Sequence, residues 1–122
     1  VVDGLFGIGL NRPLNDGWKR IIDLVNQASV RVLAVDAPSG LNCDTGQPEG
    51  AAIKADLTLT LGAVKRGLVQ SFAAEFVGRL ELAPDIGLIE CPVESDLSWT
   101  QAEDFEGFPP ARRCDSHKGS FG

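Results

Sequence analysis

Two acidic residues each stand between a short apolar segment and a turn-rich loop. Asp3 precedes a glycine-rich loop at residues 4–13, and Asp36 precedes a loop that carries Ser39. If their strands are neighbours, the two carboxylates converge and repel unless a proton or a cation lies between them. A hard cation prefers oxygen ligands and would suit the two carboxylates, helped by Ser39 and backbone carbonyls. We therefore expect Asp3 to help hold a cation and the glycine-rich loop to wrap a nucleotide-like ligand. The structural alternative is that Asp3 only satisfies nearby backbone donors.

The glycine-rich loop (GLFGIGLNRP) has the composition of a ligand-binding loop. Its glycines allow the backbone to approach a ligand closely. Its spacing differs from the GxGxxG pattern of dinucleotide-binding loops. Pro13 could begin a helix whose free amides meet a phosphate, and Asn15 and Asp16 offer capping side chains near it. A tight turn before that helix is the structural alternative.

Two further loops carry charged residues. Asp36 can hydrogen-bond a ligand, act as a base or cap a backbone turn, and the sequence leaves these roles open. Ser39 has no histidine near it, because the only one is His117, and this argues against a Ser-His-Asp nucleophile. The loop GAVKRGL carries Lys65 and Arg66, which we interpret as a solvated charged turn.

The elements that must position these loops alternate between strand and helix. Trp18, Ile21, Ile22 and Val25 are spaced to share one helix face, and Phe72 and Phe76 are expected in the core. The apolar strand at 31–35 requires cover on both faces, as in a parallel sheet. The carboxyl ends of such strands share one edge, where ligands bind. The predicted elements are strands at 1–6, 31–35, 55–61 and 79–82, a helix from Trp18 to near Ser29, and a short helix at 71–77.

Composition narrows the class of protein. The net charge of −6 argues against a nucleic-acid binder, which would need a basic face. Apolar runs are too short to span a membrane. Three cysteines without a CxxC pair argue against a disulfide framework or a zinc site, and we expect a cytoplasmic protein. Residues 93–122 lack periodicity and are interpreted as a linker, or as the threshold of a further segment.

Four segments together resemble the YjeF N-terminal domain, the family that contains the NAD(P)H-hydrate epimerases. They are DGLFGIGLNRP, VLAVDAPSGLNCDTG, ADLTLTLGAVKRGL and DIG, which occur in this order within residues 1–92. The resemblance implies an α/β fold, a Rossmann-like three-layer α/β/α sandwich with a mostly parallel sheet. Residues 1–92 would be the C-terminal portion of that domain, because the family's upstream GxGNNGGDG loop is absent from this sequence.

The resemblance also implies an isomerase activity. Such enzymes interconvert the R and S forms of hydrated NADH and NADPH (NADHX and NADPHX), which carry a hydroxyl at C6 of the nicotinamide ring. A potassium ion would be held partly by Asp3 and Ser39. Asp36 would contact the substrate and is the candidate acid/base. The loop residues expected to contact the substrate are Gly7, Ile8, Gly9, Leu10, Asn11, Arg12 and Pro13.

The tail PPARRCDSHKGSFG resembles the entrance to an ADP- or ATP-dependent NAD(P)H-hydrate dehydratase domain, a lyase. We therefore expect an internal fragment of a bifunctional repair enzyme, which folds poorly and is inactive alone. A non-catalytic nucleotide-binding or interaction module with the same fold is the alternative, and another Rossmann-type enzyme, such as a dehydrogenase, is disfavoured. A homo-oligomer is compatible with the sequence.

Overall fold

A computed structural model describes residues 1–89, 92–93, 95, 97–108, 115, 117 and 119. The chain divides into two compact units, Val1–Glu90 and Cys91–Gly122. The first unit holds the sheet, and the second holds a 3₁₀ helix at Ala102–Phe105. Most of the tail that resembles a dehydratase entrance lies outside the described residues, so its assignment to the start of a second domain stays a prediction.

The first unit is built on a four-stranded, all-parallel sheet in the order β1-β2-β3-β4. This confirms the α/β class with a parallel sheet. The carboxyl ends of all four strands therefore lie at one edge. The strands are β1 (Val2–Asp3), β2 (Leu33–Val35), β3 (Leu57–Leu61) and β4 (Arg79–Ala83).

β1 is shorter than the predicted strand at 1–6. The backbone amides of Leu5 and Phe6 donate to the side chains of Asp3 and Ser39 instead of to a neighbouring strand. Hydrogen bonds to side chains thus replace the backbone hydrogen bonds between strands, and the glycine-rich loop begins at this point. β2 likewise begins at Leu33, two residues later than predicted.

The helix α1 (Asp16–Gln27) begins after the N-cap residue Asn15, whose side chain accepts a hydrogen bond from the Trp18 amide at 3.1 Å. The predicted capping role of Asn15 is confirmed, whereas Pro13 does not begin the helix. Trp18 and Val25 pack with the fully buried Ile22. Ile21 is 42% exposed, because it lies at the margin of the apolar stripe. No helix in the described part of the chain is long and apolar enough to cross a membrane.

The sheet buries one face more completely than the other. Asp3, Ala34 and Thr58 are neighbours across three strands, and all three are buried. Residues that point to the opposite face, such as Leu33 and Leu57, are half-buried. The expectation that the second strand is covered on both faces is thus met only in part by the described residues.

The predicted helix at 71–77 is a 3₁₀ turn (Ser71–Ala73) followed by the short helix α2 (Ala74–Val77). The Thr58 hydroxyl donates to the Val77 carbonyl at 2.7 Å and ties α2 to β3. Phe76 packs against the core, but Phe72 is 47% exposed, so its prediction as a core residue was wrong. Residues 71–73 wind with three residues per turn, whereas α2 has 3.6, so Phe72 does not lie on the buried face that Phe76 shares.

Gly40→Ala should destabilise the first unit. Gly40 has φ +95°, and an added Cβ would overlap the backbone of Ala51 and Ala52. We expect a loss of about 2–4 kcal/mol in the free energy of unfolding, because strain and overlap add. Urea unfolding of the complete gene product, followed by tryptophan fluorescence, measures this. Gly17→Ala, inside α1, is the control and should shift stability by at most about 1 kcal/mol; equal losses in both variants would contradict the argument.

Candidate functional site

Ser39 joins two loops at the carboxyl edge of the sheet. Its amide donates to Asp3 Oδ2 at 2.8 Å, and its hydroxyl accepts a hydrogen bond from the Phe6 amide at 2.9 Å. Ser39 is fully buried and Asp3 is 4% exposed. Through its backbone amide and its hydroxyl, this one buried residue therefore connects the end of β1, the glycine-rich loop and the loop after β2. The sequence predicted that Asp3 and Ser39 lie together, and the structure brings them together.

Asp3 carries a buried negative charge that forms no ion pair among the described residues. Its oxygens accept the Ser39 amide and, at 3.4 Å, the Leu5 amide. Asp3 thus satisfies nearby backbone donors, which is the structural alternative that the sequence offered. Backbone amides, however, do not neutralise the charge of a carboxylate. Burying an uncompensated carboxylate is costly.

The oxygens around Asp3 suit a hard cation. The Ser39 hydroxyl lies 3.5 Å from the Phe6 carbonyl oxygen, so carboxylate, hydroxyl and carbonyl oxygens meet at one place. The described residues hold no group of three or more His, Cys, Asp or Glu side chains arranged for a metal ion. With one carboxylate and otherwise neutral oxygens, the donor set fits a cation of low charge.

Asp36 has an unusual backbone conformation and a well-defined side chain. Its φ of +71° makes it the only non-glycine residue with positive φ in the described part of the chain. Its amide donates to the Leu59 carbonyl at 2.8 Å, and its Oδ1 accepts from the Leu61 amide at 3.1 Å. Asp36 therefore caps the end of β3, one of the three roles that the sequence left open. Strained backbone of this kind concentrates at functional sites.

Lys65 forms an ion pair with Asp36, so its interpretation as part of a solvated turn was wrong. Its ammonium also donates to the Leu61 carbonyl at 2.7 Å and to the Thr60 hydroxyl at 3.1 Å. Arg66, in contrast, is exposed. A signal was present in the sequence, since Asp36 and Lys65 follow the carboxyl ends of two strands that proved to be adjacent.

The glycine-rich loop borders a cavity of about 620 Å³. Phe6 and Trp18 form part of its lining in an edge-to-face contact, with ring centroids 5.0 Å apart. Neither Ile8, which is 60% exposed, nor Asp36 lines the cavity. The predicted substrate-binding residues that do line it are Gly7, Gly9, Leu10, Asn11, Arg12 and Pro13.

The start of α1 lies beside this cavity but differs from the expected phosphate site. The Asn15 side chain already accepts the hydrogen bond of the Trp18 amide, and Asp16 adds a negative charge to the first turn. Both features reduce the attraction of the helix end for an anion. Arg12 is the cationic side chain in the cavity lining.

Sequence comparisons show which known proteins this chain is similar to. The family model described as YjeF-related protein N-terminus matches residues 1–67. The bifunctional NAD(P)H-hydrate repair enzyme Nnr of Coxiella burnetii is 40% identical across the whole chain. The NAD(P)H-hydrate epimerase of Limosilactobacillus fermentum is 45% identical over 71% of the chain. The chain spans 25% of the length of the first protein and 42% of that of the second.

Cys43 should be a slowly reacting thiol. Burial raises the pKa of Cys43, and the negative charge of Asp36 raises it further. The thiolate is the reactive form, so we expect iodoacetamide to modify Cys43 at least about 10-fold more slowly in the native than in the urea-unfolded protein at pH 8. Peptide mass spectrometry measures this rate. Asp36→Asn should accelerate the native reaction, and equal rates in native and unfolded protein would refute the burial argument.

Proposed function

Because the chain belongs to the family of YjeF-related protein N-termini, we propose that it forms part of an NAD(P)H-hydrate epimerase. The reaction would interconvert the R and S forms of hydrated NADH and NADPH at C6 of the nicotinamide ring. Curated relatives that carry this name, or the name of the bifunctional repair enzyme, support the proposal.

The observation that carries the proposal is the connection that Ser39 makes. It hydrogen-bonds to the end of β1 and to the glycine-rich loop, and it lies three residues after Asp36. The residues that the resemblance assigns to cation, substrate and acid/base chemistry therefore share one edge of one parallel sheet. Ligands of open α/β sheets bind at this edge.

The cavity beside the glycine-rich loop is suited to a nucleotide. Its volume of about 620 Å³ lies within the range of small-molecule sites. The Phe6–Trp18 wall offers apolar surface, while Arg12 offers a cation to a phosphate. In this proposal residues 7–13 hold part of NADHX or NADPHX, and the hydrated ring reaches Asp36.

Asp36 would act as the acid/base. Its Oδ1 accepts two hydrogen bonds, whereas Oδ2 accepts none from the described residues, and the side chain is 22% exposed. Oδ2 is thus free to exchange a proton with a ligand. Epimerisation at C6 through loss and return of the hydroxyl, or through ring opening, needs such a proton carrier.

A potassium ion would be held by Asp3 and Ser39. Their oxygens fit a cation of low charge, and the buried Asp3 carboxylate forms no ion pair among the described residues. When bound, the ion supplies positive charge near the glycine-rich loop. Ser39 itself holds that loop through the Phe6 amide, and Asp3 holds it through the Leu5 amide.

The whole protein would combine two activities in the cytoplasm. The bifunctional relative from Coxiella burnetii matches along the entire chain, residues 93–122 included. This supports the proposal that those residues lead into an NAD(P)H-hydrate dehydratase domain. The free, buried thiol of Cys43 is compatible with a reducing compartment.

Asp36→Asn should abolish epimerisation without unfolding the protein. Asparagine tolerates positive φ and can still accept the Leu61 amide, but it carries no titratable proton. We expect kcat to fall by about 10²–10⁴-fold, the usual contribution of acid/base catalysis. Chromatographic separation of the R and S forms of NADHX in the complete gene product measures the rate. The matched control is Asp44→Asn, an exposed acid on the same loop, which should retain activity; undiminished conversion by Asp36→Asn would favour the binding-module alternative.

Potassium should stabilise the protein through Asp3. We expect the Tm of the complete gene product to rise by a few degrees as KCl replaces tetramethylammonium chloride at constant ionic strength, because a ligand of the native state stabilises it. Asp3→Asn should remove this response, while Asp44→Asn should keep it. Differential scanning calorimetry measures the shift. A wild-type protein that does not respond to potassium would refute the cation site.

A further inference from the structure

We propose that Lys65 is a positioning residue that aims the Asp36 carboxylate at the substrate. The inference rests on the proposed function, because it assigns a role to Lys65 through the acid/base of that reaction. It comes from the contacts of the ammonium group at the carboxyl end of β3.

The Lys65 ammonium has three N–H donors and three protein acceptors. It pairs with Asp36 Oδ1 and donates to the Leu61 carbonyl at 2.7 Å and to the Thr60 hydroxyl at 3.1 Å. A lysine ammonium can make three such bonds and no more. Its side chain is only 18% exposed. A ligand phosphate would have to displace one of these contacts, so the arrangement favours a role through Asp36 over direct binding.

The acceptors that hold Lys65 belong to a rigid element. Thr60 is fully buried within β3, and its hydroxyl also lies 3.5 Å from the Ala63 carbonyl. Leu61 is the last residue of that strand. The ammonium is therefore fixed by the end of a strand, as a supporting residue of a precise site should be.

The effect on Asp36 follows from where its donors lie. The Leu61 amide and the Lys65 ammonium both donate to Oδ1, so they restrict rotation of the carboxylate and leave Oδ2 without a donor among the described residues. Without Lys65, only one hydrogen bond would hold a side chain whose backbone is already in the left-handed region. The carboxylate could then rotate away from the reacting atoms. A small misplacement of a catalytic group is enough to lower the rate greatly.

Lys65→Met tests this in the complete gene product, with Arg66→Met as the matched control. Both changes remove one positive charge from neighbouring positions, but Arg66 is exposed and outside the Asp36 cluster. We expect Lys65→Met to lower kcat for NADHX epimerisation by about 10- to 100-fold, with KM changed by less than about threefold. Arg66→Met should keep both constants. Lys65→Arg should recover part of kcat, because a guanidinium can still donate to Oδ1.

A second measurement needs no activity. In protein labelled with ¹³C at aspartate carboxyls, Lys65→Met should shift the Asp36 resonance, which Asp36→Asn identifies, while Arg66→Met should leave it unchanged. In the wild type, the ammonium protons of Lys65 should exchange slowly with water. If Lys65→Met does not fold, the exchange measurement on the wild-type protein still tests the contacts of Lys65.

The outcomes separate the two proposals. A wild-type protein without epimerase activity refutes the proposed function, and the catalytic role of Lys65 falls with it, even if the resonance shift shows the contact. An active wild type with equal kcat in Lys65→Met overturns the role of Lys65 alone. An equal loss in Arg66→Met, a rise in KM that accounts for the whole defect, or fast ammonium exchange would also overturn it.

Discussion

The buried hydrogen bonds of Ser39 are the constraint on which the site depends. Through Asp3 and Phe6 they join the end of β1 to two loops that are more than thirty residues apart in the sequence. The bonds also stop β1 after two residues, since the Phe6 amide is used by a side chain. The glycine-rich loop therefore begins where the sheet ends, and its residues line a cavity instead of extending a strand.

A second constraint operates one strand further along the sheet. Asp36 adopts a left-handed backbone that few residues other than glycine accept, and contacts with the end of β3 hold it there. The Lys65 ammonium donates a charge-assisted hydrogen bond to Asp36 Oδ1, the same oxygen that accepts from the Leu61 amide. Strain in the backbone of Asp36 is thus offset by its neighbours. Asp3 and Asp36, the two acidic residues at strand ends, have separate partners. Asp3 accepts hydrogen bonds from backbone amides, whereas Asp36 accepts one from a backbone amide and one from the Lys65 ammonium.

Much of the fold was predictable, because apolar periodicity reports burial directly. The second strand was located from a continuous apolar run, the third from alternation, and α1 from spacings of three and four residues. The errors lie where side chains compete with regular structure. Asn15, and not Pro13, sets the start of α1 through a side-chain bond to Trp18. Phe72 leaves the core because its segment winds as a 3₁₀ turn.

The sequence by itself determined the element order, the parallel class of the sheet and the three loops that follow its strands, because these depend on local patterns. It also placed Asp3 and Asp36 at strand ends and Ser39 in the loop that follows Asp36. The sequence also predicted that Asp3 and Ser39 lie together, but only the tertiary structure decided which group Asp36 meets. The order β1-β2-β3 brings Asp36 beside Lys65 across 29 residues; the sequence placed both residues after strand ends, but it did not show that their side chains pair. Hydrogen-bond partners at a sheet edge depend on strand adjacency and on loop conformation, which arise only when the chain packs.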